Sequence, residues 1–209
     1  MLSFPFVSLS LLLSGPVDGS ALAAVRKIDA QTPSEVQMAL ALAAGPPVAD
    51  NATVYVLGPK GYSKLREGSN GFSCIVQRER LDEIAPQCFD AEGSATTLQV
   101  FLFVEEQRAL GVEDTEIQKA VVGGYEAGRF KPPSKPGLVY MLSPYNYLWD
   151  VDDKKIVHFP GHLMFYAPYA TSREVGTGPG APYVVNPGKA DALMIVIPRG
   201  SSQGETHAP

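Results

Sequence analysis

Hydrophobic positions along the chain follow two patterns, one with helical spacing and one with short apolar runs. Helical spacing occurs three times: after Thr32 to Glu35 (TPSE), from Ala95 to Leu110, and from Asp114 to Gly128. The first begins with a cap residue, a proline and an acid, and glycines end the other two. We therefore expect three helices, each with an apolar face directed at a core.

Short apolar runs bounded by Gly, Pro or polar residues predict strands. These runs are Ala52 to Leu57, Phe72 to Gln77, Leu138 to Ser143, Leu163 to Ala167 and Ala192 to Pro198. The first two are interpreted as an antiparallel hairpin with a long loop, Gly58 to Gly71. Together the patterns predict an α+β fold: an antiparallel or mixed sheet with three helices packed on it, in a single domain.

A further hairpin is predicted in the second half of the chain. Tyr145, Tyr147 and Trp149 alternate, Asp150 to Asp153 suit a turn, and Lys155 to Phe159 returns as a strand. An exposed aromatic row would stack on sugar rings or a partner protein, and the Asp side chains would offer oxygens to calcium. The calcium-loop pattern lacks its glycine and distal glutamate, so a packed strand and a solvated turn are favoured.

The last part of the chain is rich in glycine and proline. Residues 173–191 are predicted to be a long loop, which in compact domains either covers a site or stays mobile. Residues 199–209 are predicted to be a disordered tail.

Composition and charge restrict the class of partner. The chain has 209 residues, 45% of them hydrophobic, and a net charge of -5, which suits one ordinary globular domain. The acidic balance and the absence of a basic run argue against a nucleic-acid partner. A small molecule or another protein is the expected partner, and no motif indicates a cofactor.

The N-terminus resembles an export signal. Phe4 to Leu13 is apolar but too short to span a bilayer, and Ala21 to Ala23 (ALA) forms a small-residue cleavage site. Residues 1–23 are therefore interpreted as a signal peptide, which predicts a periplasmic or secreted protein with no membrane span after removal. No Lys or Arg precedes the apolar run, which is atypical of a signal peptide. The alternative is a buried N-terminal helix.

The expected state of the two cysteines follows from this interpretation. In an oxidising compartment, Cys74 and Cys88 are expected to form a disulfide, worth about 3 kcal/mol for a loop of this size. The alternative is a thiolate nucleophile at either cysteine with His158 or His162 as its base.

His158 and His162 flank Pro160-Gly161, whose bend leaves their relative orientation open. A metal site would need both and a third ligand, with Asp150, Asp152 or Asp153 nearest in sequence. Hydrogen-bonded structural histidines are favoured over that site. For ligand binding, His162, Tyr140 and Tyr166 are the candidate contacts, in a cleft between the sheet and the 173–191 loop.

Several segments together resemble a family of uncharacterised exported bacterial proteins. They are the signal-like start, Gly71 to Cys74, Cys88 to Gly93, Pro136 to Ser143 and His162 to Pro168. The resemblance implies bacterial export and a common fold, and it implies no reaction, cofactor or catalytic residue.

Three functions fit these observations. The favoured one is a non-catalytic cell-envelope or secreted domain that binds a small molecule or a protein. The second is a hydrolase that uses a His-based metal site or a Cys/His pair. The third is an interaction partner that uses the aromatic row.

Overall fold

A computed structural model describes residues 17–150, 153–176, 178 and 181–197. In this part of the chain six α-helices and a 3-10 helix, Pro47–Asn51, accompany ten strands. The helices are α1 (Gly19–Ala23), α2 (Ser34–Leu42), α3 (Ala91–Ala95), α4 (Thr97–Ala109), α5 (Asp114–Glu126) and α6 (Ser172–Val175). The strands are β1 (Thr53–Gly58), β2 (Gly61–Arg66), β3 (Ser73–Gln77), β4 (Ala85–Phe89), β5 (Leu138–Met141), β6 (Tyr147–Asp150), β7 (Lys155–His158), β8 (His162–Tyr166), β9 (Tyr183–Val185) and β10 (Leu193–Val196).

Eight strands form one mixed sheet in the order β2-β1-β3-β4-β5-β8-β10-β9. All neighbours in it are antiparallel except β1 and β3, which are parallel. The strands β6 and β7 pair separately as the predicted hairpin. The predicted α+β class with a mixed sheet is therefore confirmed.

The predicted hairpin of the first two apolar runs is wrong. Residues 58–71 are not a simple loop, because they contain β2, which pairs with β1 and leaves β3 to run parallel to β1 on its other side. Gly61 makes the tight turn possible with a φ of 93°. A Cβ on Gly61 would also lie 2.9 Å from the backbone nitrogen of Glu106 in α4. The exposed polar residues of this edge strand concealed it in the sequence.

The segment before Cys88 is a strand, not the predicted loop. All five residues of β4 are buried, and Pro86 made the segment look irregular. A proline is tolerated here because β5 pairs only with Cys88 and Phe89. Pro86 therefore has no ladder partner on that side of β4.

Three helices were predicted, and α2, α4 and α5 correspond to them. The three additional helices, α1, α3 and α6, have only four or five residues each, too few to show a hydrophobic period. The predicted loop at 173–191 is interrupted, because α6 overlaps its start and β9 lies within it. The predicted tail at 199–209 lies outside the described residues.

Helices cover both faces of the sheet. On one face α2 packs on β1, β3 and β4, where Leu40 and Ala41 join a buried cluster with Cys74 and Cys88. On the other face Leu98 of α4 belongs to a cluster with residues of β3, β4, β5, β8 and β10. A third cluster, which includes Phe103 and Ile117, joins α4 to α5. This second face carries the cavity considered below.

The predicted signal peptide lies only partly within the described residues. The apolar run Phe4 to Leu13 is outside them, and the cleavage motif Ala21 to Ala23 lies in α1. Leu22 of that motif is buried in the cluster under α2. No helix among the described residues has the length and apolar character needed to cross a membrane.

Candidate functional site

His158 and His162 occupy different environments. His158 is exposed at the end of β7, where its Nε2–H donates to the carbonyl oxygen of Pro144 at 2.9 Å. His162 opens β8 and is 1% exposed, with its Nδ1–H donating to the carbonyl oxygen of Pro160 at 2.8 Å. The ring of Phe159 packs against His162 with centroids 4.9 Å apart. The two histidines share none of these neighbours.

The ring of His162 is held by only one hydrogen bond. Its Nε2 is buried and has no hydrogen-bond partner among the described residues. Burial lowers the pKa of His162, although the bond to Pro160 opposes that effect. In the described part of the chain, no three His, Cys, Asp or Glu residues are close enough together to hold a metal ion. Asp152, one of the proposed third ligands, lies outside the described residues.

Tyr140 and Tyr166 lie on opposite faces of the sheet. Tyr140 packs on the cluster beneath α2, whereas Tyr166 belongs to the cluster beneath α4. Because side chains alternate between faces along a strand, His162 and Tyr166 of β8 share one face. The structure therefore does not bring Tyr140 together with the other two candidate contacts.

The hydroxyl of Tyr166 is part of a structural network. It lies 3.0 Å from Oδ1 of Asp90 and 3.0 Å from the carbonyl oxygen of Leu138. Asp90 also accepts from the backbone N–H groups of Gly93 and Leu138, which caps α3 and fixes the start of β5. Burial, followed by the charge of Asp90, raises the pKa of Tyr166 well above its usual value. The hydrogen bonds of this hydroxyl therefore connect α3 to β5 and β8.

Cys74 and Cys88 form a disulfide, as predicted. They sit opposite each other on β3 and β4, with Cα atoms 4.1 Å apart, and both are fully buried beneath α2. No free cysteine remains in the described structure, and the chain has two cysteines in all. While this bond is intact, neither cysteine can therefore act as a thiolate nucleophile.

The aromatic row is partly covered. Tyr147 and Trp149 are half-buried, and the guanidinium of Arg80 lies 4.0 Å from the ring centroid of Trp149. Arg26 lies over Tyr147 at 5.3 Å. In the turn, the backbone N–H of Asp153 donates to Oδ1 of Asp150 at 2.9 Å.

Two cavities flank α4 at a site that the sequence did not single out. The first, about 410 Å³, lies at the β1–β2 turn and the end of α4. The second, about 400 Å³, is lined by β2, β3, α4, α5 and residues 186–191, and we name it the loop cavity. Arg78, Glu105 and Arg108 line both cavities.

These three residues form a buried charged cluster. Glu105 is 3% exposed and accepts from Arg78 at 2.9 Å and from Arg108 at 2.7 Å. Arg78 also donates to the carbonyl oxygen of Ile28, and Arg108 donates to the carbonyl oxygens of Arg78 and Glu79. Asp114 is a second carboxylate partner of Arg108, at 2.9 Å. The cluster is therefore a rigid wall whose charges are balanced by protein groups.

Polar and apolar groups share the loop cavity. Gln77 is 7% exposed, and its Oε1 accepts from Nε2 of Gln87 at 3.1 Å. Nε2 of Gln77 donates to no group within the described structure. Tyr62 donates to the carbonyl oxygen of Val76 at 2.6 Å. The apolar part of the lining comes from α4 and α5: Val100, Phe101, Val104 and Val121.

Three charged side chains complete this lining: Glu79, Lys189 and Asp191. Desolvation raises the pKa of Asp191, which also accepts from Nδ2 of Asn186 at 3.2 Å. Desolvation, followed by the charge of Glu83, raises the pKa of Glu79. Among the described ion pairs within 4.0 Å, none joins Lys189 to either acid.

The comparisons with known proteins give no identification: no family model, no curated protein and no solved structure matches this chain. The site is therefore described by its own chemistry. A cavity does lie between the sheet and the end of the 173–191 segment, but His162, Tyr140 and Tyr166 do not line it. The sequence pointed to this lining only through the 173–191 segment, which contains Asn186, Lys189 and Asp191.

Proposed function

We propose that the protein is a non-catalytic binding domain that holds one small polar molecule in the loop cavity. The observation that carries the proposal is the lining, which combines the amide of Gln77, charged groups of both signs and an apolar wall. Ligand sites combine apolar walls with placed polar groups, and the larger share of polar and charged residues in this cavity favours a polar ligand.

The volume and the rigidity of the walls support the proposal. About 400 Å³ lies in the lower part of the range of small-molecule sites, which is about 300–1,000 Å³. The cluster of Arg78, Glu105 and Arg108 fixes one wall through bonds to three carbonyl oxygens. A wall fixed before binding loses little conformational entropy when the ligand arrives.

We further propose that the protein acts outside the cytoplasm, in the periplasm or as a secreted protein. The disulfide supports this, because such bonds persist in oxidising compartments. The apolar run Phe4 to Leu13 before a small-residue motif also supports it. The intact mass of the exported protein should correspond to a chain that begins near Ala24. A chain that begins at Met1 would favour the buried N-terminal helix instead.

A thermal-shift screen tests the binding proposal. The panel would contain free amino acids, sugars, dicarboxylates, polyamines and nucleosides. We expect at least one class to raise the melting temperature in a saturable way, and Lys189→Met to reduce that shift. Lys119→Met is the matched control, because Lys119 is an exposed lysine that pairs with Glu116 on α5 and does not line the cavity. Unchanged melting across the whole panel would contradict the proposal.

A further inference from the structure

We propose that the ligand of the loop cavity is a zwitterion, a free α-amino acid with an aliphatic side chain. This inference rests on the proposed function and adds the chemical class of the ligand. It rests on the charged side chains of the cavity that take no part in the ion pairs of Arg78 and Arg108.

The balance of charge around the cavity separates two groups of side chains. Arg78 and Arg108 are neutralised by Glu105 and Asp114, at distances of 2.7 to 2.9 Å. This leaves Lys189 with a positive charge and Glu79 and Asp191 with negative charges. The cavity thus has one cationic group and two acidic groups that are not committed to the buried cluster.

Opposite charges that line one cavity without pairing are complementary to a molecule that carries both signs. Lys189 has no ion pair within 4.0 Å to either acid in the described chain, and the carboxylate of Glu79 accepts no hydrogen bond from the described residues. An ammonium group of a ligand would donate hydrogen bonds to the carboxylates of Glu79 and Asp191. A carboxylate of the same ligand would lie toward Lys189. Glu79 and Lys189 are exposed and Asp191 is half-buried, so a ligand can reach all three charged groups, and desolvation raises the pKa of both acids.

Gln77 gives an independent indication of an anionic group. It is more than nine-tenths buried, lines the cavity, and has an Nε2 group without an acceptor in the described structure. Its Oε1 is fixed by Gln87, so the amide orientation places the donor, not the acceptor, at the free position. This donor is not one of the buried atoms that lack a partner, so it is accessible, and a carboxylate oxygen of a ligand would accept from it.

The remaining wall determines the rest of the ligand. Val100 and Val121 are buried, and Val104 lies beside them on α4. These side chains offer contact to an aliphatic group and no hydrogen bond. An amino acid with a branched or linear aliphatic side chain therefore matches the donor, the charges and the apolar wall together.

Calorimetric titration with L-leucine and two of its analogues tests this class. 3-Methylbutylamine keeps the ammonium and the side chain, and 4-methylpentanoate keeps the carboxylate and the side chain. We expect L-leucine to bind at one site per chain, and each analogue to bind at least about tenfold more weakly, which corresponds to about 1.4 kcal/mol.

Two variants assign the two ends of the ligand. Lys189→Met should lower the affinity for L-leucine and leave the affinity for 3-methylbutylamine unchanged. Asp191→Asn should lower the affinity for L-leucine and leave the affinity for 4-methylpentanoate unchanged. Lys119→Met should change none of these affinities. Melting temperatures of all three variants show whether the fold is retained.

The possible failures can be told apart. If a sugar or a singly charged compound binds as tightly as any free L-amino acid, the zwitterion is wrong while the binding function stands. If no compound of the broad panel binds, both proposals fall. If L-leucine binds but Lys189→Met and Asp191→Asn leave its affinity unchanged, this cavity is not the amino-acid site and the inference is overturned.

Discussion

Cys74 and Cys88 face each other directly across two antiparallel strands, and a disulfide joins them beneath α2. The bond closes a loop with a sequence separation of 14. A loop of about this size loses roughly 3 kcal/mol of unfolded-state entropy when it is cross-linked. Cys74→Ser should therefore lower the free energy of unfolding by about 3 kcal/mol, measured by urea titration.

The wild-type protein under strong reductant is the control for that variant. It should approach the stability of Cys74→Ser, and the native oxidised protein should not react with a thiol reagent. Equal stability of the variant and the oxidised wild type would show that the disulfide contributes nothing to the fold.

Glu105 is buried and neutralises two partly buried arginines, so its removal should be costly. Glu105→Gln would leave Arg78 and Arg108 without their shared carboxylate in a largely buried position. Breaking a buried ion pair in this way costs about 3–5 kcal/mol. Urea unfolding should show a loss of that size. The matched control, Glu116→Gln, breaks an exposed pair with Lys119 and should cost no more than about 1 kcal/mol.

His162 should make stability depend on pH. Its pKa in the folded protein is below the ordinary value of 6.5, so the unfolded chain takes up a proton more readily as the pH falls. This contribution to stability is present above about pH 6.5 and is lost as the pH falls through the folded pKa. Thermal unfolding of His162→Gln across that range should show a weaker loss than the wild type.

His158 supplies the comparison. His158→Gln, at an exposed histidine that shares no neighbour with His162, is the matched histidine substitution. The acids with raised pKa, Asp191 and Glu79, act in the opposite direction, since their contribution falls as the pH rises. Identical profiles for His162→Gln and the wild type would contradict the assignment of His162 as a buried neutral histidine.

Gly93 provides the space for the hydroxyl of Tyr166. A Cβ on Gly93 would lie 1.8 Å from that oxygen, so Gly93→Ala must displace Tyr166 or α3. We expect a loss of about 1–3 kcal/mol in the free energy of unfolding. Gly123→Ala is the control, because its Cβ meets nothing within 4 Å and α5 gains about 0.5–1 kcal/mol of helix propensity. Equal stability of the two variants would exclude the close contact.

The sequence predicted the elements that carry a clear period. The three longest helices and the hairpin around Asp150 were expected close to their observed bounds, because caps, glycines and alternation mark them. The strands β2 and β4 were missed for physical reasons. The outward side of an edge strand is polar, and β5 pairs with only two residues of β4, which leaves Pro86 tolerated there.

The candidate site was much less accessible from sequence. His162, Tyr140 and Tyr166 are notable residue types, but two of them serve the core and its hydrogen bonds, and Tyr140 lies on the opposite face. The loop cavity is lined from β2, β3, α4, α5 and residues 186–191. Only the long-range topology brings these segments together, and a single sequence without a recognisable motif does not encode that topology in local patterns.

The side-chain amide of Gln77 is the most direct reporter of binding in the loop cavity. Its two amide protons can be followed in ¹⁵N-correlated NMR spectra and assigned by their absence in Gln77→Glu. We predict that a ligand identified by the thermal-shift screen will shift these signals in a saturable way, together with backbone signals of Val104 and Lys189. Saturable binding that leaves the Gln77 amide and its neighbours unchanged would contradict the assignment of this cavity as the binding site.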